Sequence, residues 1–366
     1  MFIAFMDCIA LGASLLICLS AETIGRRLGV MDVPDNGRKH HLQATPLVGG
    51  IGILLPFLLW LCGAFSGGLI GDSQVVLVFL LCSAGVGLVG FADDQTPTSP
   101  LSRFLALIVF LGVAIAIAPR LIAPTLNWGS FEPTTLPAFL YCGLIALTAV
   151  GIVNAVNMAD GQNGLVPSLF AIWSLCLMLI GDPTVSAIAQ TLALLSIVVL
   201  LFNLRGKLFL GDCGSYGVTF VMGLLALITY AQGRIALETI IVWFYVPVVD
   251  CLRLIITRRL QGRSPLAPDT DHFHHRLQVK FGAAYGLFAY IVLVAASSLV
   301  ATLAPRFALV CVIVLTAVYF SFAFLTDSAV SEAGQADDTH ETAADRTFAN
   351  VVSLGSEQHQ LRERAR

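Results

Sequence analysis

Apolar residues run through this chain in long unbroken stretches, and polar residues collect in a few short ones between them. A helix needs about 20 apolar residues to cross about 30 Å of hydrocarbon. Eleven stretches approach that length, at roughly 2–22, 47–66, 73–92, 102–119, 136–153, 165–182, 185–202, 215–232, 236–256, 283–303 and 306–326. The long run 165–202 is divided by the turn signal Gly181-Asp182-Pro183, and the last two runs by Ala304-Pro305-Arg306. The pattern predicts an all-α polytopic membrane protein with about eleven transmembrane helices, forming one domain over residues 1–326. Residues 327–366 break the pattern. With eight acids and four arginines they read as a polar, disordered tail.

The placement of Lys and Arg predicts which way the helices run. If connections alternate between two sides, one side receives 25–46, 93–101, 154–164, 203–214, 257–282 and the tail. Of the 20 basic residues, only Arg120, Arg234 and Arg306 fall on the other side. Cytoplasmic loops are enriched in Lys and Arg, so the first set is expected to be cytoplasmic. Eleven spans then put the N-terminus outside and the tail inside.

Composition supports a bilayer as the solvent: 57% of residues are hydrophobic and 12% charged, against about 25% charged in soluble domains. The nine cysteines contain no C-x-x-C pair, so neither a zinc site nor a disulfide framework is indicated. The N-terminus lacks a basic region before its apolar run and does not read as a cleaved signal.

The polar stretches all fall on the side read as cytoplasmic. Asp93 and Asp94 close the third span. They could simply be a polar stop, yet adjacent carboxylates in a partly dry site are costly unless a cation joins them. In "NAVNMADGQNGL", Asn154, Asn157 and Asp160 are spaced three apart and share one helical face. A span end needs one such residue as a cap; three make a polar stripe aimed at a ligand. In "FLGDCGS", Asp212 sits next to Gly211, either as an N-terminal cap or as a group held where phosphates can approach the backbone. Carboxylate and amide oxygens are the ligands that Mg²⁺ prefers.

Two basic groups accompany them. "PDTDHFHHR" brings His272, His274, His275 and Arg276 together, and "GRKHH" brings Arg38, Lys39, His40 and His41. Zinc would need three or four ligands, and the nearest cysteine, Cys251, lies inside a span. A solvated loop is the plainer alternative. A grip on phosphate suits the histidines and arginines better. Asp250 and Arg253 differ in kind: they lie one turn apart inside the ninth span, where ionisable groups need a partner, and pairing with each other is the simplest expectation. A transporter would place its ionisable groups near the midplane, whereas this chain crowds them at span ends.

These five stretches, in this order, resemble the polyprenyl-phosphate N-acetylhexosamine-1-phosphate transferases, which include WecA-type enzymes, phospho-MurNAc-pentapeptide transferases and dolichol counterparts. The resemblance covers residues from about 25 to 280, and "PDTDHFHH" is similar to the WecA-type branch. It implies Mg²⁺, with Mn²⁺ able to substitute, and a lipid phosphate attacking the β-phosphorus of a UDP-N-acetylhexosamine to release UMP. The implied acceptor is undecaprenyl phosphate in the bacterial inner membrane, and the reaction the first membrane step of a cell-surface polysaccharide. No nucleic-acid partner is expected, and a homodimer is the assembly considered. Asp93, Asp94 and Asp160 are then the expected catalytic carboxylates, Asp93 orienting the lipid phosphate. Asp212 is the expected metal ligand, its shell completed by Asn157 or Asp160. Asn154, Asn163, Arg38, Lys39, His272, His274, His275 and Arg276 are expected to bind substrate. Two positions depart from the WecA-type pattern: Pro97 and Asn163 stand where acids are usual. Direct attack and a phospho-aspartate route both remain open at this point.

Overall fold

The computed structural model describes residues 2–34, 43–121, 125–128, 132–264 and 271–326. The expectations for Arg38, Lys39, His40, His41 and the tail 327–366 lie outside the described residues. Within them the chain is almost wholly helical, and ten helices are long and apolar enough to cross a membrane. They are α1 (Phe2–Leu19), α3 (Gly49–Ser66), α4 (Ser73–Gln95), α5 (Pro100–Ile117), α6 (Ala138–Ala159), α8 (Pro183–Asn203), α9 (Gly211–Ala231), α10 (Leu237–Leu260), α12 (Ala283–Leu303) and α13 (Pro305–Thr326). The eleventh apolar run forms α7 (Leu165–Ile180), which at 16 residues is shorter than the others. Two short polar helices, α2 (Ala21–Leu28) and α11 (Phe273–Phe281), complete the set.

The breaks are where turn chemistry placed them. Asp182 accepts a hydrogen bond from the Val185 amide (2.8 Å) and caps α8, so "GDP" does separate two helices. The Ala304-Pro305-Arg306 break becomes a single 3₁₀ turn opening α13. Within α4, residues Phe79–Ser83 form a π-turn. The sheet content is two antiparallel two-residue pairs, Met31–Asp32 with Thr45–Pro46 and Thr125–Leu126 with Thr134–Thr135.

At the centre stands α9, the most enclosed span, with 83% of it buried. Lipid supplies no hydrophobic drive between helices, so close packing depends on small residues. Here Gly50 of α3 lies against Gly214 of α9, where an added Cβ would fall 2.1 Å from the Gly214 nitrogen. Gly90 of α4 lies against Asp212, 2.2 Å from its carbonyl oxygen by the same measure. Three helices therefore meet backbone to backbone at one end of α9. Further along the bundle, Trp173 of α7 donates to the Trp243 carbonyl (2.9 Å), and Trp243 donates to Thr302 of α12 (3.0 Å). Near the start of α1 the buried Asp7 accepts from Gln190 (2.7 Å) and Thr191 (2.8 Å) of α8. Buried polar groups in hydrocarbon need such partners, and these tie distant spans together.

Candidate active site

The end of α9 that carries the glycine contacts also carries the carboxylates. Asp94, on the last turn of α4, accepts hydrogen bonds from the Asp212 amide (2.7 Å) and the Cys213 amide (2.9 Å). Leu210 precedes α9 and offers no side-chain cap; Asp94 supplies one from the neighbouring helix. Free N–H groups and the helix dipole both favour an anion there. Gly211 makes the approach possible, because its backbone has φ of 72° and a Cβ would sit 2.8 Å from Asp94 Oδ2. The capping role considered for Asp212 therefore belongs to Asp94, and the Asp212 carboxylate is left for other work.

That carboxylate lies near Asp93, and the two share the Arg103 guanidinium. Asp93 also accepts from Thr98 Oγ1 (2.7 Å) and is paired with Arg103 Nη1 (2.5 Å). The same guanidinium nitrogen lies 4.0 Å from Asp212 Oδ2. Sequence reasoning counted Arg103 only as a loop-side charge; a cation in the first turn of an apolar helix, ten residues from an acid pair, was the signal available.

The polar stripe of α6 faces this cluster. Asn157 accepts from Ser215 (3.1 Å) and donates to the Tyr216 hydroxyl (3.1 Å), so two α9 side chains fix its amide. Tyr216, too, was missed, because a buried tyrosine inside a span reads as core. Asp160 ends α6. Burial, together with the nearby Asp94 carboxylate, raises its pKa well above the ordinary carboxylate value. Asn154 donates back to the Val150 carbonyl of its own helix (2.8 Å). Asn163 is exposed on the turn that follows, near Gly206. The turn itself is anchored by Asn203, which accepts from the Gly164 amide and donates to the Leu208 carbonyl.

The histidine segment forms the start of α11 and packs onto the same turn. His274 is almost wholly buried, and its Nε2 has no hydrogen-bond partner among the described residues. That nitrogen lies 2.6 Å from where a Cβ on Gly161 would stand, and His275 Nε2 lies 3.5 Å from the same point. Burial, reinforced by His275 and His272, depresses the His274 pKa well below its ordinary value. His272 and Arg276 have other contacts. His272 pairs with Asp250 (2.9 Å), and Arg276 with Asp271 (2.6 Å), the Ala323 carbonyl and Thr326. Burial pushes the Asp271 pKa up, but Arg276 and Arg253 outweigh it and hold it low. The expected Asp250–Arg253 pair forms, at 3.3 Å, as one strand of this wider network. Cys251 contacts Met158 and joins no metal cluster among the described residues.

With the geometry in view, the comparisons are specific. The family model described as glycosyl transferase family 4 matches residues 76–230, the part of the chain that holds Asp93, Asp94, Arg103, the α6 stripe and Asp212. A Salmonella typhi protein described as undecaprenyl-phosphate alpha-N-acetylglucosaminyl 1-phosphate transferase is 30% identical over 292 residues, covering 75% of this chain and 76% of its own. The chain belongs to the polyprenyl-phosphate N-acetylhexosamine-1-phosphate transferases of glycosyl transferase family 4. An Escherichia coli K12 protein of the same description is 28% identical over 292 residues, with coverage of 75% and 76%. A Bacillus subtilis protein described as a probable undecaprenyl-phosphate N-acetylglucosaminyl 1-phosphate transferase is 27% identical over 290, with coverage of 76% and 77%. This transferase family member is thus a multi-pass membrane protein whose acidic residues collect at one end of α9.

Proposed function

We propose that the protein transfers N-acetylglucosamine-1-phosphate from UDP-N-acetylglucosamine to undecaprenyl phosphate, releasing UMP, on the cytoplasmic side of the bacterial inner membrane. The observation that carries the reading is that the Asp93 and Asp212 carboxylates share one guanidinium nitrogen, Arg103 Nη1, at 2.5 Å and 4.0 Å. Two carboxylates brought this close are costly unless a proton or cation lies between them. A single guanidinium only partly offsets that charge, so the cluster suits a further cation.

The donor set fits Mg²⁺, which binds through one or two carboxylates plus substrate phosphates. Asp212 and Asp93 would hold it, with the Asn157 amide oxygen beside them. When bound, the ion supplies Lewis-acid neutralisation of the pyrophosphate.

The remaining chemistry falls to the chain's own residues. A phosphate oxygen of the lipid forms a bond to the β-phosphorus of the donor. The bond from that phosphorus to the bridging oxygen breaks, and the oxygen leaves with its electron pair on UMP. Both reactants are polyanionic, so the barrier is chiefly electrostatic and prearranged charge is the remedy. Arg103 holds Asp93 in place and adds positive charge where the phosphates meet. A phosphate monoester has its second pKa near 6, so the lipid is largely dianionic at neutral pH and Asp93 acts mainly by position. His274 Nε2, buried against Gly161 and without a hydrogen-bond partner among the described residues, is the group we assign to the donor, with His275 beside it.

The test is release of UMP by purified protein given UDP-N-acetylglucosamine, undecaprenyl phosphate and Mg²⁺. Release that requires both lipid and metal is the expected result. A screen of other UDP-amino sugars under the same conditions identifies the preferred donor. No UMP from any of them would overturn the reading.

A further inference from the structure

Asp250 lies just past the middle of α10, inside a span, and is 5% exposed. An ionisable group at such a place needs partners, and it has four. Its Oδ1 accepts from the Phe273 amide (3.0 Å), the Tyr319 hydroxyl (2.6 Å) and Arg253 Nη2 (3.3 Å). Its Oδ2 faces His272 Nδ1 at 2.9 Å. His272 is the N-cap residue of α11 and makes no capping bond with its own side chain. One carboxylate from a neighbouring span thus does two things: it caps the histidine helix, and it holds the ring of that helix's first histidine.

From that ring the contacts lead on towards the site. The His272 and His274 rings are stacked, with centroids 5.4 Å apart and planes 13° apart. His274 in turn lies against Gly161, at the end of the polar stripe. We infer that Asp250 is a positioning residue for the donor site: it holds the His272 imidazole with Nδ1 as the protonated nitrogen, and through that ring sets His274 and His275 against the Gly161 turn. A carboxylate can only accept, so the shared proton resides on Nδ1 and the tautomer is set by this partner. Outer partners that orient a working imidazole have large effects without touching substrate. The inference rests on the reading of the histidines as donor-binding groups.

Asp250→Asn separates this role from plain packing. The amide can keep Oδ1 as the acceptor for Phe273 and Tyr319, so the helix cap persists. Its NH₂ then faces Nδ1 and forces the proton to Nε2. The variant is expected to keep wild-type melting behaviour in detergent, while UMP release falls about ten- to hundredfold, the range typical for loss of such an outer partner. The loss should appear in kcat and in the KM for the nucleotide sugar, with the KM for undecaprenyl phosphate unchanged. His272→Ala should lose a similar amount, and the double variant no more than His272→Ala alone. Wild-type turnover in Asp250→Asn, or losses that multiply in the double variant, would overturn the inference.

A second measurement does not depend on recovering that variant or on activity. Nitrogen-15 spectra of the wild-type protein, with His272 assigned by its disappearance in His272→Gln, should show Nδ1–H. A neutral His272 protonated at Nε2 would overturn the inference in its own right. Absence of UMP release by the wild type would instead count against the proposed function and leave this spectrum standing.

Discussion

Asp94 and Asp212 are both acids at the same helix end, yet they do different things, and substitutions should separate them. Asp94 accepts two backbone N–H groups at the start of α9. Asp94→Asn keeps one good acceptor and is expected to lower stability by about 1 kcal/mol, the usual size of a cap effect, read as a shift in melting temperature. Asp212 makes no cap, so Asp212→Asn should leave the melting temperature near wild type. Turnover should be lost, on the order of several kcal/mol of transition-state stabilisation, together with the response to Mg²⁺. Near-normal turnover with an unchanged Mg²⁺ optimum would overturn the proposal that Asp212 is a metal ligand. His274 adds a pH effect. Its folded pKa lies below the ordinary 6.5, so below that pH the unfolded chain binds the extra proton first and stability falls with it. Melting temperature should therefore drop as pH is lowered from about 7 to 5, and His274→Gln should flatten part of that slope. An identical slope in both proteins would refute it.

At the scale of elements, the site depends on how closely α4 and α9 approach. Gly90 faces the carbonyl of Asp212 and Gly50 faces the backbone of Gly214, so in neither place can the neighbour yield by turning a side chain. Gly90→Ala is expected to push α4 off α9 and cost about 1–3 kcal/mol, as overpacking does. Because the displacement falls between Asp94 and the amides it caps, activity should fall with stability. Gly112, where nothing lies within 4 Å of an added Cβ, is the control: Gly112→Ala should be neutral or slightly stabilising, since alanine favours helix. Equal melting temperatures for the two variants would show that the glycine contacts do not limit helix approach.

Across the whole molecule, polar side chains at opposite ends of the bundle are arranged differently. One end gathers carboxylates from α4, α6 and α9 with the histidines of α11. At the other, Arg120 pairs with Asp72 and Asp182 is bonded to Gln232. Asp72 caps the helix that follows it; burial raises its pKa, but Arg120 and the capped amides bring it below the ordinary value. From the asymmetry of Lys and Arg along the chain we propose that the carboxylate end faces the cytoplasm. A cysteine placed at Thr270 should accordingly be labelled only by reagents that reach the inside of sealed cells. Labelling from outside would reverse the orientation and the proposed access of nucleotide sugar.

The spans, their breaks and the polar residues that gather at one end of α9 were legible in the chain, because they depend on local physics: the length of an apolar run, a Gly-Asp-Pro turn, three polar residues on one helical face. Asp93, Asp94, Asn157, Asp160 and Asp212 needed no fold to be singled out. Which of them does what was not legible. Asp94 rather than Asp212 caps α9 only because Gly90, Gly211 and Gly214 let helices distant in sequence come backbone to backbone. Arg103 and Tyr216 looked like a loop-side charge and a core aromatic until α5 and α9 brought them to the carboxylates. The pair Asp250 and Arg253, one turn apart, suggested a bond between the two. That bond forms, and the tertiary structure joins Asp250 to His272 and Tyr319 as well, across 22 and 69 residues. Residue type and spacing say what a side chain can do, and only packing between spans says which other side chain it meets.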